Sequence, residues 1–260
     1  KAERDALLAT ATETRPVDAT HLLVSPGFNR PAMLEGWNAD RKGDFKDANL
    51  GVIDRGRRTN MVCEAYYLQS FEVNQTISNL PEGYYQVNMT GYYRDGSREA
   101  LQQKIANGAT PARHAMLYIE NKGKGDEVAL PSIAAGMNQC PGIGWTGVAG
   151  EQPDNVMDAA EYFECGLYKV YTHIIKVGPD GELTIGVTKD KQVDNDWAVF
   201  DNFRLTYFGK HVSQDIINGI NTVKNNVVED GKIYNLQGME VRRPLKSGIY
   251  ICNGKKFIVK

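Results

Sequence analysis

The chain has 260 residues, of which 42% are hydrophobic and 24% are charged, and its formal net charge is −2. This length allows one large domain with smaller additions, and a core of that size needs neither a disulfide nor a metal for stability. Charges of both signs are interspersed, which argues against a nucleic-acid-binding protein, and no apolar stretch approaches the ~18 residues of a membrane span.

The first residues of the chain predict a short helix. Residues 2–12 are rich in alanine and leucine and contain no glycine or proline. Because so short a helix is only marginally stable alone, we expect residues 1–19 to form a helical strap that lies against another surface.

Residues 20–209 predict an all-β domain. Short runs rich in β-branched and aromatic residues are separated by turn residues, and within 71–77 the alternation places Phe71, Val73 and Ile77 on one face. Because most of these runs have no helical pattern between them, we expect an antiparallel sandwich rather than a parallel sheet.

Three stretches of this domain carry more specific expectations. Residues 99–106 predict a short helix, and the glycine-rich residues 134–156 predict a long surface loop. Residues 161–177 are dense in aromatic and β-branched side chains and predict a strand.

The last part of the chain predicts a separate small module. Residues 210–230 form a polar connector, and residues 231–260 contain two strand-like runs, each with a glycine turn. Because about 30 residues cannot build a hydrophobic core of their own, we expect this β-hairpin module to dock on another surface.

Several spaced motifs resemble one family of β-sandwich domains. The segment Ser25-Pro-Gly-Phe-Asn29, followed by Gly36-Trp37, is similar to the opening of galactose-binding-like jelly-roll domains. Residues 64–94 and 200–207 resemble, in the same order, motifs of secreted bacterial polysaccharide-utilisation proteins. The resemblance covers about residues 18–209 and implies an antiparallel jelly-roll β-sandwich of the carbohydrate-binding-module type.

A second resemblance concerns the C-terminal module. Residues 233–238, 246–250 and 253–256 are similar to a C-terminal module of secreted or surface-located proteins, some relatives of which are sorting signals. This resemblance implies an extracytoplasmic location, whether secreted, periplasmic or at the cell surface. We also expect an upstream domain in a larger parent polypeptide.

The two resemblances imply a non-catalytic accessory module that binds an oligo- or polysaccharide. Sugar recognition needs a flat aromatic face and a few polar groups. In jelly rolls of this type the loops at one end supply both, and the end of the strand at 84–94 is expected beside the start of the strand at 197–207. The candidate ligand-binding residues are Trp197, Asp196, Arg94, Tyr92, Trp37 and Trp145.

The tryptophan candidates have structural alternatives. Trp197 shares the strand parity of Phe203 and Leu205, which favours a buried position. Trp37 either contacts the ligand or closes the first loop onto the sandwich. Trp145 either contacts the ligand or anchors its own loop.

The polar candidates are also open between two roles. Arg94 and Tyr92 share the polar face of their strand, whereas the neighbouring Tyr93 is expected in the core. Arg94 either contacts the ligand or forms an internal ion pair with Asp95 or Asp196.

A structural calcium ion is the only cofactor that the resemblance implies. The candidate ligands are Asp201 and Asn29, because calcium-binding jelly rolls often place an acidic ligand beside the first strand, and hard oxygen ligands suit Ca²⁺. Arg204 or backbone N–H groups are equally good partners for a buried Asp201. The four cysteines lack CxxC spacing, which argues against zinc.

The sequence contains no recognisable catalytic motif. Residues 142–147 fit GxGxxG but follow Cys-Pro rather than a strand, so the dinucleotide reading fails. Asp158, Glu161 and Glu164 are interpreted as the charged start of a strand. The alternatives to glycan binding are a structural, adhesive or protein-docking sandwich without a sugar site, and a glycoside hydrolase or lyase with carboxylates far apart in sequence.

Overall fold

The computed structural model describes residues 2–28, 34–39, 53–54, 57–58, 62–67, 70–217, 233–235, 240–241, 248–252 and 255–259. The chain divides into two compact units, Lys1–Gly219 and Ile220–Lys260. The helices are α1 (Ala2–Leu8), α2 (Arg98–Ala106), α3 (Val156–Glu164) and α4 (Gln214–Ile217). The strands are β1 (Val17–Asp18), β2 (Asn38–Ala39), β3 (Ile53–Asp54), β4 (Arg57–Arg58), β5 (Cys63–Tyr66), β6 (Phe71–Ile77), β7 (Gly83–Arg94), β8 (Ala115–Asn121), β9 (Lys124–Ala129), β10 (Trp145–Gly147), β11 (Gly150–Gln152), β12 (Lys169–Tyr171), β13 (Ile175–Val177), β14 (Leu183–Lys189), β15 (Trp197–Tyr207), β16 (Ile233–Asn235), β17 (Glu240–Val241), β18 (Gly248–Cys252) and β19 (Lys255–Val259).

The first unit is an antiparallel β-sandwich. One sheet has five strands in the order β2-β6-β14-β8-β9. The other has six strands and is built on the long central pair β7 and β15, with β1 and β5 on the outer edge of β15 and β12 and β13 on the outer edge of β7. The predicted all-β fold, an antiparallel jelly-roll sandwich, is confirmed.

The core between the two sheets is aromatic and aliphatic. Phe71 of β6 stacks on Phe200 of β15, with ring centroids 6.3 Å apart. Along β6 the buried positions alternate with exposed ones, so the predicted common face of Phe71, Val73 and Ile77 is confirmed. We call the side of the six-stranded sheet that carries Phe200 its inner face.

The outer face of the six-stranded sheet is covered by a second packing layer. The Tyr92 ring lies 5.3 Å from Trp197, 5.8 Å from Phe163 of α3 and 4.9 Å from Tyr168. Both faces of β7 are therefore buried near its C-terminal end, and the expected polar face of Tyr92 is wrong because α3 covers it.

Residues 161–177 do not form the predicted single strand. Their first part belongs to α3, which Asn155 caps by accepting hydrogen bonds from the N–H groups of Met157 and Asp158. Ala159 and Ala160 face the buried side, so capping and tertiary packing outweigh the β-propensity of the aromatic residues. Asp158, Glu161 and Glu164 are thus helical, and strand structure resumes at β12 and β13.

The predicted helix at 99–106 is present, whereas the predicted loop at 134–156 contains regular secondary structure. The loop region contains the β10–β11 hairpin and a 3-10 helix at Ile133–Gly136. The helix is confirmed as α2, whose N-cap Ser97 accepts a hydrogen bond from the N–H of Ala100 at 3.1 Å.

A β-bulge changes the face on which Trp197 lies. The β15–β7 register shifts between Asp201 and Arg204, where Asn202 has a left-handed φ of 56°. Because one residue is added there, Trp197 contacts the outer layer whereas Phe203 packs on Trp37 in the inner core. The predicted shared parity of Trp197 and Phe203 is therefore wrong, although Trp197 is buried as that alternative required.

The second unit contains a four-stranded antiparallel sheet in the order β17-β16-β18-β19. The predicted pairing of strands within residues 231–260 is confirmed. The division of the chain at 1–19, 20–209, 210–230 and 231–260 remains a prediction. Within the described ranges, no helix is long and apolar enough to cross a membrane.

Candidate functional site

Three strand ends meet at one rim of the six-stranded sheet. Trp197, the first residue of β15, pairs directly with Tyr66 at the end of β5 and with Arg94 at the end of β7. The N-terminal ends of α2 and α3 stand beside these strand ends, and together they enclose a cleft of about 520 Å³. We call it the Arg94 cleft, and its lining residues are Glu64, Tyr66, Arg94, Ser97, Arg98, Glu99, Asp154, Asn155, Val156, Asn195 and Trp197.

The floor of the cleft is a tryptophan that an arginine covers. Trp197 is 2% exposed, and its indole Nε1 donates a hydrogen bond to Glu64 Oε1 at 2.8 Å. The guanidinium carbon of Arg94 lies 5.0 Å from the centre of the Trp197 ring, within the range of a cation–π interaction. Trp197 therefore supports the site from below and exposes almost no ring surface of its own.

Arg94 is a buried cation held by backbone carbonyls. Its side chain donates from Nε to the Gly96 carbonyl at 3.0 Å and from Nη2 to the Asn195 carbonyl at 3.2 Å. Burial lowers the pKa of Arg94 from its ordinary value, but a guanidinium still stays protonated at neutral pH. Among the described contacts these bonds use two of the five N–H groups of the planar fork.

The two aspartates expected to pair with Arg94 have other partners. Asp95 Oδ2 forms an ion pair with Lys104 Nζ at 2.8 Å, and Asp196 Oδ2 forms one with Lys189 Nζ at 2.5 Å. The predicted internal ion pair of Arg94 with Asp95 or Asp196 is therefore wrong.

One wall of the cleft is formed by Arg98 and the two carboxylates that it contacts. Arg98 lies 2.6 Å from both Glu99 and Asp154, and its guanidinium carbon is 5.0 Å from the Trp145 ring centre. The hydrogen bond from Arg98 holds the pKa of Glu99 below its ordinary value. Glu99 is thus ionised at neutral pH and can accept hydrogen bonds.

The mouth of the cleft carries an exposed aromatic ring. Tyr66 is 42% exposed, and its hydroxyl donates to Asn195 Oδ1 at 3.0 Å, which fixes the ring at the rim. Its neighbour Tyr67 is also exposed, but it adopts a left-handed φ of 54° and its hydroxyl donates to Asp194 at 3.2 Å, outside the cleft lining.

The predicted ligand-binding residues fall into three places. Trp197 and Arg94 line the Arg94 cleft, and Trp145 lies against its wall through Arg98. Tyr92, Asp196 and Trp37 are buried, and none of them lines the cleft. We therefore leave those three out of the candidate site.

Each of these three buried residues has a structural environment instead. Asp196 accepts from the Tyr93 hydroxyl at 2.7 Å in addition to its ion pair with Lys189. Trp37 packs 5.1 Å from the Phe28 ring, and its Nε1 donates to the Val24 carbonyl at 2.9 Å. The loop-closing alternative for Trp37 fits this arrangement.

Sequence reasoning missed most of the cleft lining. The adjacent aromatic residues Tyr66 and Tyr67 carried a usable signal, because alternation along a strand places one of two successive side chains on the outer face. Glu64, Asp154 and Asn155 carried none, since their places depend on long-range strand pairing and on α3.

Asp201 is not part of a cluster of acidic side chains among the residues that are described. Its carboxyl is 1% exposed, Oδ2 accepts from Asn202 at 2.8 Å, and Oδ1 has no hydrogen-bond partner among the described residues. Ca²⁺ requires 6–8 oxygen ligands, whereas the described part of the chain contains no group of three or more His, Cys, Asp or Glu side chains placed to hold a metal. Asn29 lies outside the described residues, so calcium binding stays a prediction.

The buried Asp201 carboxyl has a simpler explanation that needs no metal. Burial raises its pKa well above the ordinary value of 3.8, which favours the neutral form. Arg204, the partner considered from the sequence, is exposed on the bulged strand and is not among the groups that shift the pKa of Asp201.

A larger cavity, of about 730 Å³, lies at the opposite ends of the same strands. It is lined by the segment around Thr12, by Tyr84 and by residues 210–213, and includes the weak Lys176–Glu82 ion pair at 3.5 Å. It has neither a buried cation nor an exposed aromatic ring, so the Arg94 cleft is the better candidate.

Comparison with known proteins gives likeness of fold alone. No protein-family description and no curated protein matches the sequence. Similar solved structures include TmCBM61 in complex with β-1,4-galactotriose, with 16% identity, a TM-score of 0.40 and coverage of 72% of this chain and 97% of that one. A cyclase from Fischerella sp. TAU has 10% identity, a TM-score of 0.36 and coverage of 76% and 100%. The CBM22-1 xylan-binding domain of Paenibacillus barcinonensis Xyn10C has 11% identity, a TM-score of 0.35 and coverage of 73% and 96%.

Proposed function

We propose that the chain binds a neutral oligo- or polysaccharide in the Arg94 cleft and does not transform it. The observation that carries this proposal is the buried Arg94 guanidinium, which lies on Trp197 and lines the cleft. Its described hydrogen bonds use only two of its five N–H groups. Such donors require oxygen acceptors, and sugar hydroxyl and ring oxygens supply them.

The remaining lining residues complement both the apolar C–H face and the hydroxyl groups of a sugar. The exposed face of Tyr66 offers a platform for the C–H side of a pyranose ring. The carboxylates of Glu64, Glu99 and Asp154 accept hydrogen bonds from hydroxyl groups. A volume of about 520 Å³ lies within the ordinary range for small-ligand sites.

The charge of the cleft favours a neutral sugar over an acidic one. The lining contains two arginines, Arg94 and Arg98, and three carboxylates, so its formal charge is 2 − 3 = −1. A uronate or sulfated sugar would meet those carboxylates at close range, whereas a neutral sugar hydrogen-bonds to both kinds of group.

The expected affinity is weak. One stacked ring buries about 100 Å² and contributes about 2.5 kcal/mol, and each net hydrogen bond adds about 1 kcal/mol. Association costs about 4 kcal/mol or more, which leaves roughly millimolar to micromolar dissociation constants. Such affinity suits a module that acts alongside other binding sites.

The carboxyl groups of the cleft are poorly arranged for glycoside hydrolysis. A general acid needs a raised pKa, but Arg98 lowers the pKa of Glu99 and also pairs with Asp154. The carboxyl group whose pKa burial does raise, Asp201, lies within the sheet and is not part of the cleft lining.

The proposal is tested by binding to a glycan panel displayed at high density. The wild-type chain is expected to retain neutral glycans. Tyr66→Ala is expected to weaken binding more than tenfold because it removes the stacking platform. Tyr171→Ala is the matched control, since Tyr171 is an exposed tyrosine outside the cleft lining. Equal binding by both variants, or no binding by the wild type, would contradict the proposal.

A second candidate is a structural or protein-docking sandwich without a sugar site. It is favoured by the burial of Trp37 and Trp197, each 2% exposed, although Trp145 is only half-buried. Iodide quenching of tryptophan fluorescence measures this accessibility, and the structure predicts that Trp145 alone is quenched. Glycan binding separates the two candidates, because only the first requires it.

Export and attachment to an upstream domain are proposed as the setting of this function. They rest on the resemblance of residues 233–256 to a module of secreted proteins. Detection of the chain in the extracytoplasmic fraction of the producing cell tests the location independently of sugar binding.

A further inference from the structure

Two cysteine side chains meet at the C-terminal end of α3, the helix whose N-terminal end lines the Arg94 cleft. Cys140 lies in the turn that precedes β10, and Cys165 is the C-cap residue of α3. Their Sγ atoms are 2.9 Å apart, closer than the ~3.5–4.0 Å of ordinary heavy-atom contacts and approaching the ~2.05 Å of a sulfur–sulfur bond. We propose that Cys140 and Cys165 form a disulfide in an oxidising compartment.

The backbone around both cysteines is independently fixed. The N–H of Cys165 donates to the Glu161 carbonyl at 3.0 Å, which completes the last turn of α3. The Cys140 carbonyl accepts from the N–H of Ile143 at 3.2 Å, and the Tyr162 hydroxyl donates to the Ile143 carbonyl at 3.2 Å. The helix and the turn are thus joined beside the two sulfurs, so closing the bond needs only small side-chain movements.

Cys63 provides a contrast within the same unit. It lies in β5 with no exposed surface, and burial raises the pKa of its thiol well above the ordinary value. Within the described ranges it has no sulfur partner. Cys165, by comparison, is exposed and accessible to an oxidant.

The bond forms by exchange with a small-molecule disulfide such as oxidised glutathione. The Cys165 thiolate attacks one sulfur of the oxidant, forms a mixed disulfide and releases one glutathione thiolate. Cys140 then loses its proton and attacks Cys165 Sγ, which releases the second glutathione. Two protein thiols are oxidised to one disulfide, one glutathione disulfide is reduced to two thiols, and the two protons pass to the released glutathione.

The second of these steps is expected to depend on pH. Burial, and then the contact with Cys165, raise the pKa of the Cys140 thiol to about 12. Since the thiolate is the attacking species, a small fraction of Cys140 is reactive at neutral pH, and the rate of closure should increase with pH.

The disulfide would close the chain segment that builds the cleft wall. The two cysteines are 25 positions apart. Between them lie Trp145, which packs on Arg98, and the lining residues Asp154, Asn155 and Val156. Fixing this segment stabilises the wall whether or not the cleft binds a glycan, so the inference stands apart from the proposed function.

The test compares the full chain before and after equilibration with oxidised glutathione. We expect a mass loss of about 2 Da from the two hydrogens and a midpoint of thermal unfolding higher by roughly 5–10 °C. Digestion after glutamate locates the bond, because Glu151 and Glu161 lie between the cysteines whereas no Lys or Arg does. The Cys140→Ala/Cys165→Ala double variant, which keeps Cys63 and Cys252, is the control and should show neither change.

Three outcomes would overturn the inference. Both thiols could remain open to alkylation after oxidation, or one of them could link to Cys63 or Cys252. The double variant could also show the same rise in unfolding temperature as the wild type. A 140–165 peptide link that reductant removes, together with the loss of the added stability, would support it.

Discussion

The two faces of the six-stranded sheet differ in what packs against them. On the inner face Phe200 and Phe203 pack on Phe71, Phe28 and Trp37, and the contacts are almost wholly apolar. On the outer face, beside the same strands, a charged guanidinium is buried over a tryptophan and polar side chains border an open cleft. The difference indicates that the inner face stabilises the fold, whereas the outer rim carries the candidate binding site.

The largest expected effect is a loss of stability from a substitution on the inner face. Trp37→Ala removes a buried indole and the hydrogen bond from its Nε1, and is expected to lower the free energy of unfolding by about 3–5 kcal/mol. Urea denaturation measures this loss. Any protein that remains folded should bind glycan as the wild type does, and a selective loss of binding by folded Trp37→Ala would contradict the division between the two faces.

The next effect concerns the outer face. Arg94→Met keeps an apolar side chain over Trp197 but removes the N–H fork, so glycan binding should weaken by about ten- to a hundredfold, as expected for hydrogen bonds from a charged donor worth about 1.5–3 kcal/mol. The free energy of unfolding is expected to change much less than in Trp37→Ala. Calorimetric or NMR titration gives the affinity. Unchanged affinity would exclude Arg94 from recognition.

A smaller effect is expected at Asp201, within the sheet. Burial raises its pKa in the folded chain, so its contribution to stability is complete below about pH 4 and is lost as pH rises through the folded pKa. Asp201→Asn removes this penalty and should raise the unfolding midpoint at pH 7 by a few degrees, at about 2–4 °C per kcal/mol. The gain should disappear near pH 4.

The same variant also tests the calcium prediction. If Asp201 binds calcium, a chelator should lower the unfolding midpoint of the wild type, and Asp201→Asn should be less stable at pH 7 instead of more stable. Melting curves with and without chelator therefore separate a neutral buried carboxyl from a metal ligand.

The smallest effect is at the rim. Tyr66→Phe keeps the ring but removes the 3.0 Å hydrogen bond to Asn195, so binding is expected to weaken only about two- to fivefold, corresponding to roughly 0.5–1 kcal/mol. The aromatic ring remains at the rim, but its orientation is less well fixed. A loss as large as that of Tyr66→Ala would show that the hydroxyl contributes more than the ring face.

The sequence predicted the fold where one face of a strand is buried and the other is open. Along β6 this condition holds and alternation assigned the inner face correctly. Near the end of β7 both faces are buried, and the bulge at Asn202 shifts parity along β15, so alternation misassigned Tyr92 and the face of Trp197. Local propensity likewise could not anticipate α3, whose aromatic residues are stabilised by tertiary packing.

The candidate site could be predicted from the sequence only where the pairing of neighbouring strands determines it. Arg94 is the last residue of β7, and Trp197 is the first residue of β15, its antiparallel neighbour. Their proximity therefore follows from the pairing of these two strands. The pairing of β5 with β15 joins residues 66 and 197, and the placement of α3 brings in Asp154 and Asn155; neither relation has a local signal. The hydrogen bond between the Trp197 indole and Glu64 is long-range for the same reason.

The most direct test of glycan binding in the Arg94 cleft is an NMR titration with a neutral oligosaccharide that the glycan panel identifies. The side-chain Nε–H signal of Arg94 and the backbone signals of Tyr66 and Asn155 are expected to shift together and to saturate with one binding constant. Signals of the inner core around Phe71 should stay in place. Saturating shifts that cluster elsewhere, with Arg94 and Tyr66 unchanged, would contradict recognition at this cleft.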